Sequence, residues 1–105
     1  MVGRKVYLQP KRMLLDVILD IIELQKGKVV FSDMPQGIVH YYVSMYGFKW
    51  MLLYTVTDVG ENRCRVQLEV GGELTETKRQ IVREFALIDY MLVSGTEIEI
   101  NETEG

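Results

Sequence analysis

The chain has 105 residues, with 12 Lys and Arg against 15 Asp and Glu, a formal charge of −3. That length suits one domain, and 48% apolar with 26% charged residues is the balance of a folded globule, which excludes a disordered chain. A single cysteine, Cys64, excludes an internal disulfide framework and any multi-cysteine metal cage, and a single histidine, His40, removes most catalytic and metal sites at once.

Apolar runs such as 17–24 are broken by Asp20 and Glu23, short of the ~18 uncharged residues of a membrane-spanning helix. The opening Met1-Val2-Gly3-Arg4-Lys5 has no apolar core segment and does not read as a secretory signal. With one unpaired thiol, the expectation is a cytoplasmic protein.

Residues 4–8 form a short β-leaning segment that stops at Gln9-Pro10, where proline suits a first helical turn. From 11 to 25 the polar residues after Arg12 fall at Asp16, Asp20 and Glu23, one narrow wet stripe. The rest of that surface is apolar, a wider arc than a surface helix carries, so the helix needs cover on more than one side. Gly27 supplies the expected stop, beside Lys26.

Residues 28–32 read as a strand ending at the turn Asp33-Met34-Pro35-Gln36-Gly37. Strands over 38–45 and 48–57 flank Tyr46-Gly47, and another over 62–70 follows Asp58-Val59-Gly60-Glu61. After Gly71-Gly72, Thr77 and Gln80 fit a capping box for a second helix. Its inward face carries Ile81, Phe85, Ile88 and Leu92, and Gly95 lies just past its end. The expected domain is 1–95, followed by an acidic tail over 96–105 or a frayed strand in which Ile98 and Ile100 alternate with acids.

Loop lengths give the hairpins a register. If Met45 pairs with Phe48, then Val43 faces Trp50, Tyr41 faces Leu52 and Val39 faces Tyr54. If Asp58 pairs with Asn62 across three residues, Val56, Tyr54, Leu52 and Trp50 face Cys64, Val66, Leu68 and Val70. Both registers put these residues on one side of the sheet.

The fold class is α+β, in the order β-α-β-β-β-β-α, with an antiparallel sheet and two helices packed on one face. Over about residues 4–93 this element order resembles the TATA-box-binding-protein-like and helix-grip (START-like, polyketide-cyclase-like) folds. The resemblance is one of element order, with no residue motif behind it, so it implies a fold and assigns no functional residue.

The opposite sheet face collects His40, Tyr42, Ser44, Lys49, Met51, Leu53, Thr55, Thr57, Arg63, Arg65, Gln67 and Glu69. Its centre is too apolar for a bare surface, which points to a contact site. Two-fold homodimers are the commonest oligomer, so His40, Tyr42, Met51, Leu53 and Arg65 are the interface candidates. Nucleic acid is disfavoured by the acidic charge and by the small number of cations on that face.

Catalysis is disfavoured too. Ser44 sits on the strand face of His40 but roughly 13 Å away, and Glu69 is distant across the sheet. Asp16 and Asp20, four apart on one helix, read as a solvated stripe, and Cys64 points into the core, where a thiol is inert. No glycine spacing cradles phosphate, and no cofactor is implied. The expected protein is a non-enzymatic homodimer. The alternative is a module binding a small apolar or amphipathic ligand between sheet and helices, with Tyr41, Trp50, Tyr54 and Phe85 lining its pocket.

Overall fold

The computed structural model describes residues 1–45, 47–71, 74–92 and 99–101. In chain order these form β1 (Val2–Tyr7), α1 (Lys11–Leu24), β2 (Lys28–Asp33), β3 (Ile38–Met45), β4 (Phe48–Gly60), β5 (Arg63–Val70), α2 (Leu74–Met91) and β6 (Glu99–Asn101). The β-α-β-β-β-β-α order expected from the sequence is present, with three residues of the acidic tail added as β6. The sheet order is β2-β3-β4-β5-β1-β6 and every pairing is antiparallel. Gly95 and the expected tail boundary at 96 lie outside the described residues.

Pro10 stands at the N-cap of α1 with extended backbone, and its carbonyl accepts from the Met13 and Leu14 amides at 3.0 and 3.2 Å. Proline's fixed φ suits that entry, one residue earlier than the first turn expected. Leu14, Leu15, Val17, Ile18, Ile21 and Ile22 are buried, while Asp16, Asp20 and Glu23 are exposed. The broad apolar arc is covered from two directions, by the sheet and by α2.

At the C-terminus of α1 it is Lys26, not Gly27, that takes the left-handed conformation (φ 58°). The Gly27 amide reaches back to the Ile22 carbonyl at 2.8 Å and the Lys26 amide to Glu23 at 3.0 Å, the bonding of a Schellman cap. Gly27 meets a different need, since a Cβ there would lie 3.0 Å from the Tyr41 ring and 3.2 Å from the Tyr42 carbonyl.

Met45 pairs with Phe48, Val43 with Trp50, Tyr41 with Leu52 and Val39 with Tyr54, as the short loop implies. The β4–β5 register differs by two residues: Asp58 pairs with Cys64, not Asn62, and Tyr54 with Leu68. Asn62 takes a left-handed conformation (φ 49°) at a tighter turn, and a bulge between Asp58 and Gly60 absorbs the extra residue. Because the shift is even, every side chain keeps its face. Val39, Tyr41, Val43, Trp50, Leu52, Tyr54, Val56, Cys64, Val66, Leu68 and Val70 all lie in the core beneath the helices.

Helix α2 begins at Leu74, three residues before the expected cap. Thr77 is instead buried inside the helix, its hydroxyl 3.6 Å from Met1 Sδ. Ile81, Phe85 and Ile88 face the sheet as expected. On β1, Lys5 Nζ and the Tyr7 hydroxyl both donate to Asp89 of α2, at 2.5 and 2.8 Å, clasping helix to sheet.

Candidate functional site

The open sheet face is built in rows by the strand register. Phe31, His40, Leu53, Glu69 and Val2 form one row across five strands. Lys28, Tyr42 and Met51 form the row beside it, and Asp33, Ile38, Thr55, Gln67 and Arg4 the row on the other side. A bulge at Val30 turns Phe31 onto this face: Val29 opposes the core residue Tyr41, and Phe31 opposes His40.

Phe31 is 55% exposed and Met51 40%, with Ile38, His40, Tyr42 and Leu53 half-buried around them. Lys49 Nζ sits 3.9 Å from the Tyr42 ring centroid and Arg4 Nε donates to Gln67 Oε1 at 3.0 Å, so the polar groups at the border are organised. Four of the five interface candidates, His40, Tyr42, Met51 and Leu53, fall together in adjacent rows. Arg65 does not join them. The two-residue register shift sets it opposite Thr57, farther along the sheet, and brings Glu69 into the row of His40, about 10 Å away across Leu53.

The space between sheet and helices contains a buried carboxylate. Glu84 of α2 is wholly buried. Its Oε1 accepts from the Tyr41 and Tyr54 hydroxyls, the latter at 2.9 Å, and its Oε2 accepts from Gln25 Nε2 at 2.8 Å and Gln80 Nε2 at 3.3 Å. Burial raises the Glu84 pKa above the ordinary carboxylate range, while the donors Tyr41, Gln25 and Tyr54 and the charge of Arg83 oppose that rise. Burial and the neighbouring carboxylate push both tyrosine hydroxyls well above their usual values. Tyr41 and Tyr54 stack with parallel rings, centroids 6.0 Å apart.

Tyr41 and Tyr54 therefore lie side by side, and both are fully buried. Phe85 is buried in the same core. Trp50 is different: with Phe48, Glu76, Arg79, Gln80 and Arg83 it lines a cleft of about 620 Å³ between the β3–β4 hairpin and α2.

The His40 side chain makes no hydrogen bond among the described residues, and its lateral neighbours are Phe31 and Leu53. Cys64 is buried, with Sγ 3.3 Å from Asp58 Oδ1, and burial pushes its thiol pKa up to about 11, the opposite of an activated nucleophile. Among the described residues, no group of three or more His, Cys, Asp or Glu could hold a metal ion, and no helix is long and apolar enough to cross a membrane.

Glu84, Phe31 and Phe48 escaped the sequence reading. For Glu84 a signal existed: it falls three residues after Ile81 and four before Ile88, on the inward stripe of α2. Phe31 needed knowledge of the bulge.

No family model matches this chain, and no curated protein matches it. Among solved structures, the crystal structure of Ara h 8.0201 aligns at a TM-score of 0.39 with 10% identity, covering 87% of this chain and 95% of that one.

Proposed function

We propose that this chain is a non-enzymatic cytoplasmic domain that pairs with a second copy of itself through its open sheet face. The observation that supports it is the apolar centre of that face, Phe31, His40 and Leu53 in one row beside Tyr42 and Met51 in the next. Such a patch costs free energy in water and is removed by covering it.

Strands about 4.8 Å apart and about 3.3 Å per residue make the face roughly 25 Å square. That is on the order of the 800 Å² each partner buries in a standard interface. A two-fold axis along the strands between β3 and β4 lays Tyr42 and His40 of one copy over Met51 and Leu53 of the other. Apolar groups then meet apolar groups, and one surface serves both copies. Lys28, Asp33, Lys49, Arg63 and Arg65 form a polar rim of the kind stable interfaces carry.

The test is mass in solution by light scattering on a size-exclusion peak, across a dilution series. The expected mass is about twice 12.2 kDa, falling to the single-chain value in Phe31→Glu and Leu53→Arg with unchanged circular dichroism. Phe31 is exposed, so its replacement perturbs the surface and not the core. A wild-type monomer at every concentration, or variants that keep the wild-type mass, would overturn the reading.

A further inference from the structure

On the other side of the molecule, the cleft between the β3–β4 hairpin and α2 has the composition of a binding site. Phe48 and Trp50 are two apart on β4 and so share a face, and their rings meet edge to face with centroids 6.5 Å apart. Phe48 is 65% exposed, an aromatic ring left largely uncovered at the mouth. Above them, Glu76, Arg79, Gln80 and Arg83 recur at three- and four-residue spacing, one stripe of α2 turned toward the hairpin.

Three observations bear on what such a cleft takes. Its volume, about 620 Å³, is that of a small-molecule site. Arg79 and Arg83 are exposed and enter no ion pair among the described residues; Glu76 is the carboxylate among the lining residues, and the charge of Arg83 also acts on the buried Glu84. The third is the indole. Trp50 is only 9% exposed, and its Nε1–H is buried, closed off from solvent in the cleft, with no hydrogen-bond partner among the described residues. A buried donor left unmade is costly, and structures rarely tolerate one without a reason. A lining that combines aromatic rings with two guanidinium groups and one carboxylate suits a ligand that brings a ring and negative charge.

We propose that this cleft binds a small aromatic carboxylate, its ring against Phe48 and Trp50 and its carboxylate held by Arg79 and Arg83. Arginine suits the task because its planar fork meets a carboxylate in two parallel bonds. A neutral compound of the same shape gains the ring contact alone. The site lies on the helix side of the sheet, so it stands or falls independently of self-association through the open face.

Trp50 is the only tryptophan in the chain, so the protein gives one indole N–H signal in a proton–nitrogen correlation spectrum. The full chain is titrated with benzoate, phenylpropionate and naphthoate, and with phenylpropanol as the neutral counterpart. At least one carboxylate should shift the indole signal saturably, with a dissociation constant below about 10 mM. The Arg79→Ala/Arg83→Ala double variant should bind that carboxylate at least about tenfold more weakly. Its remaining spectrum should match wild type, since both side chains are exposed. No saturable shift with any of the three carboxylates would overturn the proposal. So would equal affinity for phenylpropanol, or undiminished binding in the double variant.

Discussion

The Tyr54 hydroxyl donates to Glu84 Oε1 at 2.9 Å, joining the middle of the sheet to the inward face of α2 through a carboxylate that has no contact with water. Four donors converge on Glu84, from β3, β4, α2 itself and the residue that caps α1. The arrangement ties both helices and the sheet to one side chain. Gln25 Oε1, by contrast, is buried without a partner among the described residues.

Glu84→Ala should therefore cost about 3 kcal/mol, because two tyrosine hydroxyls and two amides lose their acceptor in a closed space. Glu84→Gln should cost under about 1 kcal/mol. Its amide oxygen can keep the tyrosines, and its new N–H groups can donate to the glutamine side chains once these turn, giving Gln25 Oε1 the partner it lacks. Urea unfolding at neutral pH measures both. Equal losses in the two variants would mean that the hydrogen bonds contribute nothing beyond volume.

The same residue sets a pH dependence of defined sign. Burial raises the folded pKa of Glu84 above its unfolded value of about 4.3, so the folded state binds the proton more tightly. The stability this group contributes is complete below about pH 4.3 and is lost as pH rises through the folded pKa, after which it levels off. Unfolding free energies of wild type minus Glu84→Gln, measured from about pH 4 to about pH 8, should fall with rising pH across that window. A flat difference would show that Glu84 titrates alike in the folded and unfolded chain.

How much of this was legible in the sequence depends on what each feature rests on. The side assigned to each of the eleven core strand residues follows from period-two alternation, and that survives any even error in register. The β4–β5 pairing missed by two because the bulge at Val59 and the left-handed Asn62 are backbone choices with no strong residue signature. Gly60 offered an alternative turn that the sequence could not rank against them. The face of α2 was visible in Ile81, Phe85 and Ile88, yet Glu84 on the same stripe was passed over because a carboxylate is expected in water. Its tyrosine partners stood among the pocket candidates, Tyr41 and Tyr54, so the right region was marked for a different purpose. The cleft at Trp50 depends on how the hairpin end sits under α2, a tertiary relation between segments more than twenty residues apart that no local pattern carries.

Asp89 holds the other edge of the helix layer. It accepts from the nearly buried Lys5 ammonium at 2.5 Å and from the Tyr7 hydroxyl at 2.8 Å. Asp89 itself is partly exposed, which screens the ion pair and limits its worth. Asp89→Asn, which keeps an acceptor for Tyr7, should cost about 1 kcal/mol, and Asp89→Ala about 2 kcal/mol. Amide exchange should accelerate selectively in β1, which Asp89 clasps, and not in β3. Uniform acceleration across the sheet would argue that the clasp acts only through global stability.

Two glycines with the same backbone sign should respond very differently to alanine. Gly37 (φ 72°) closes the turn before β3, and a Cβ there would fall 2.2 Å from the Val56 carbonyl oxygen. The Gly37 carbonyl also accepts the Val56 amide at 2.8 Å, so the clash cannot be relieved without moving β4. Gly47 (φ 79°) lies in the β3–β4 loop, where an added Cβ meets nothing within 4 Å. Gly47→Ala should carry only the left-handed conformational cost, about 1 kcal/mol. Gly37→Ala adds a backbone collision to that and should lose about 3 kcal/mol or more. Thermal and urea unfolding of the pair would show the gap, and similar losses would mean that the 33–37 turn does not press on β4 as described.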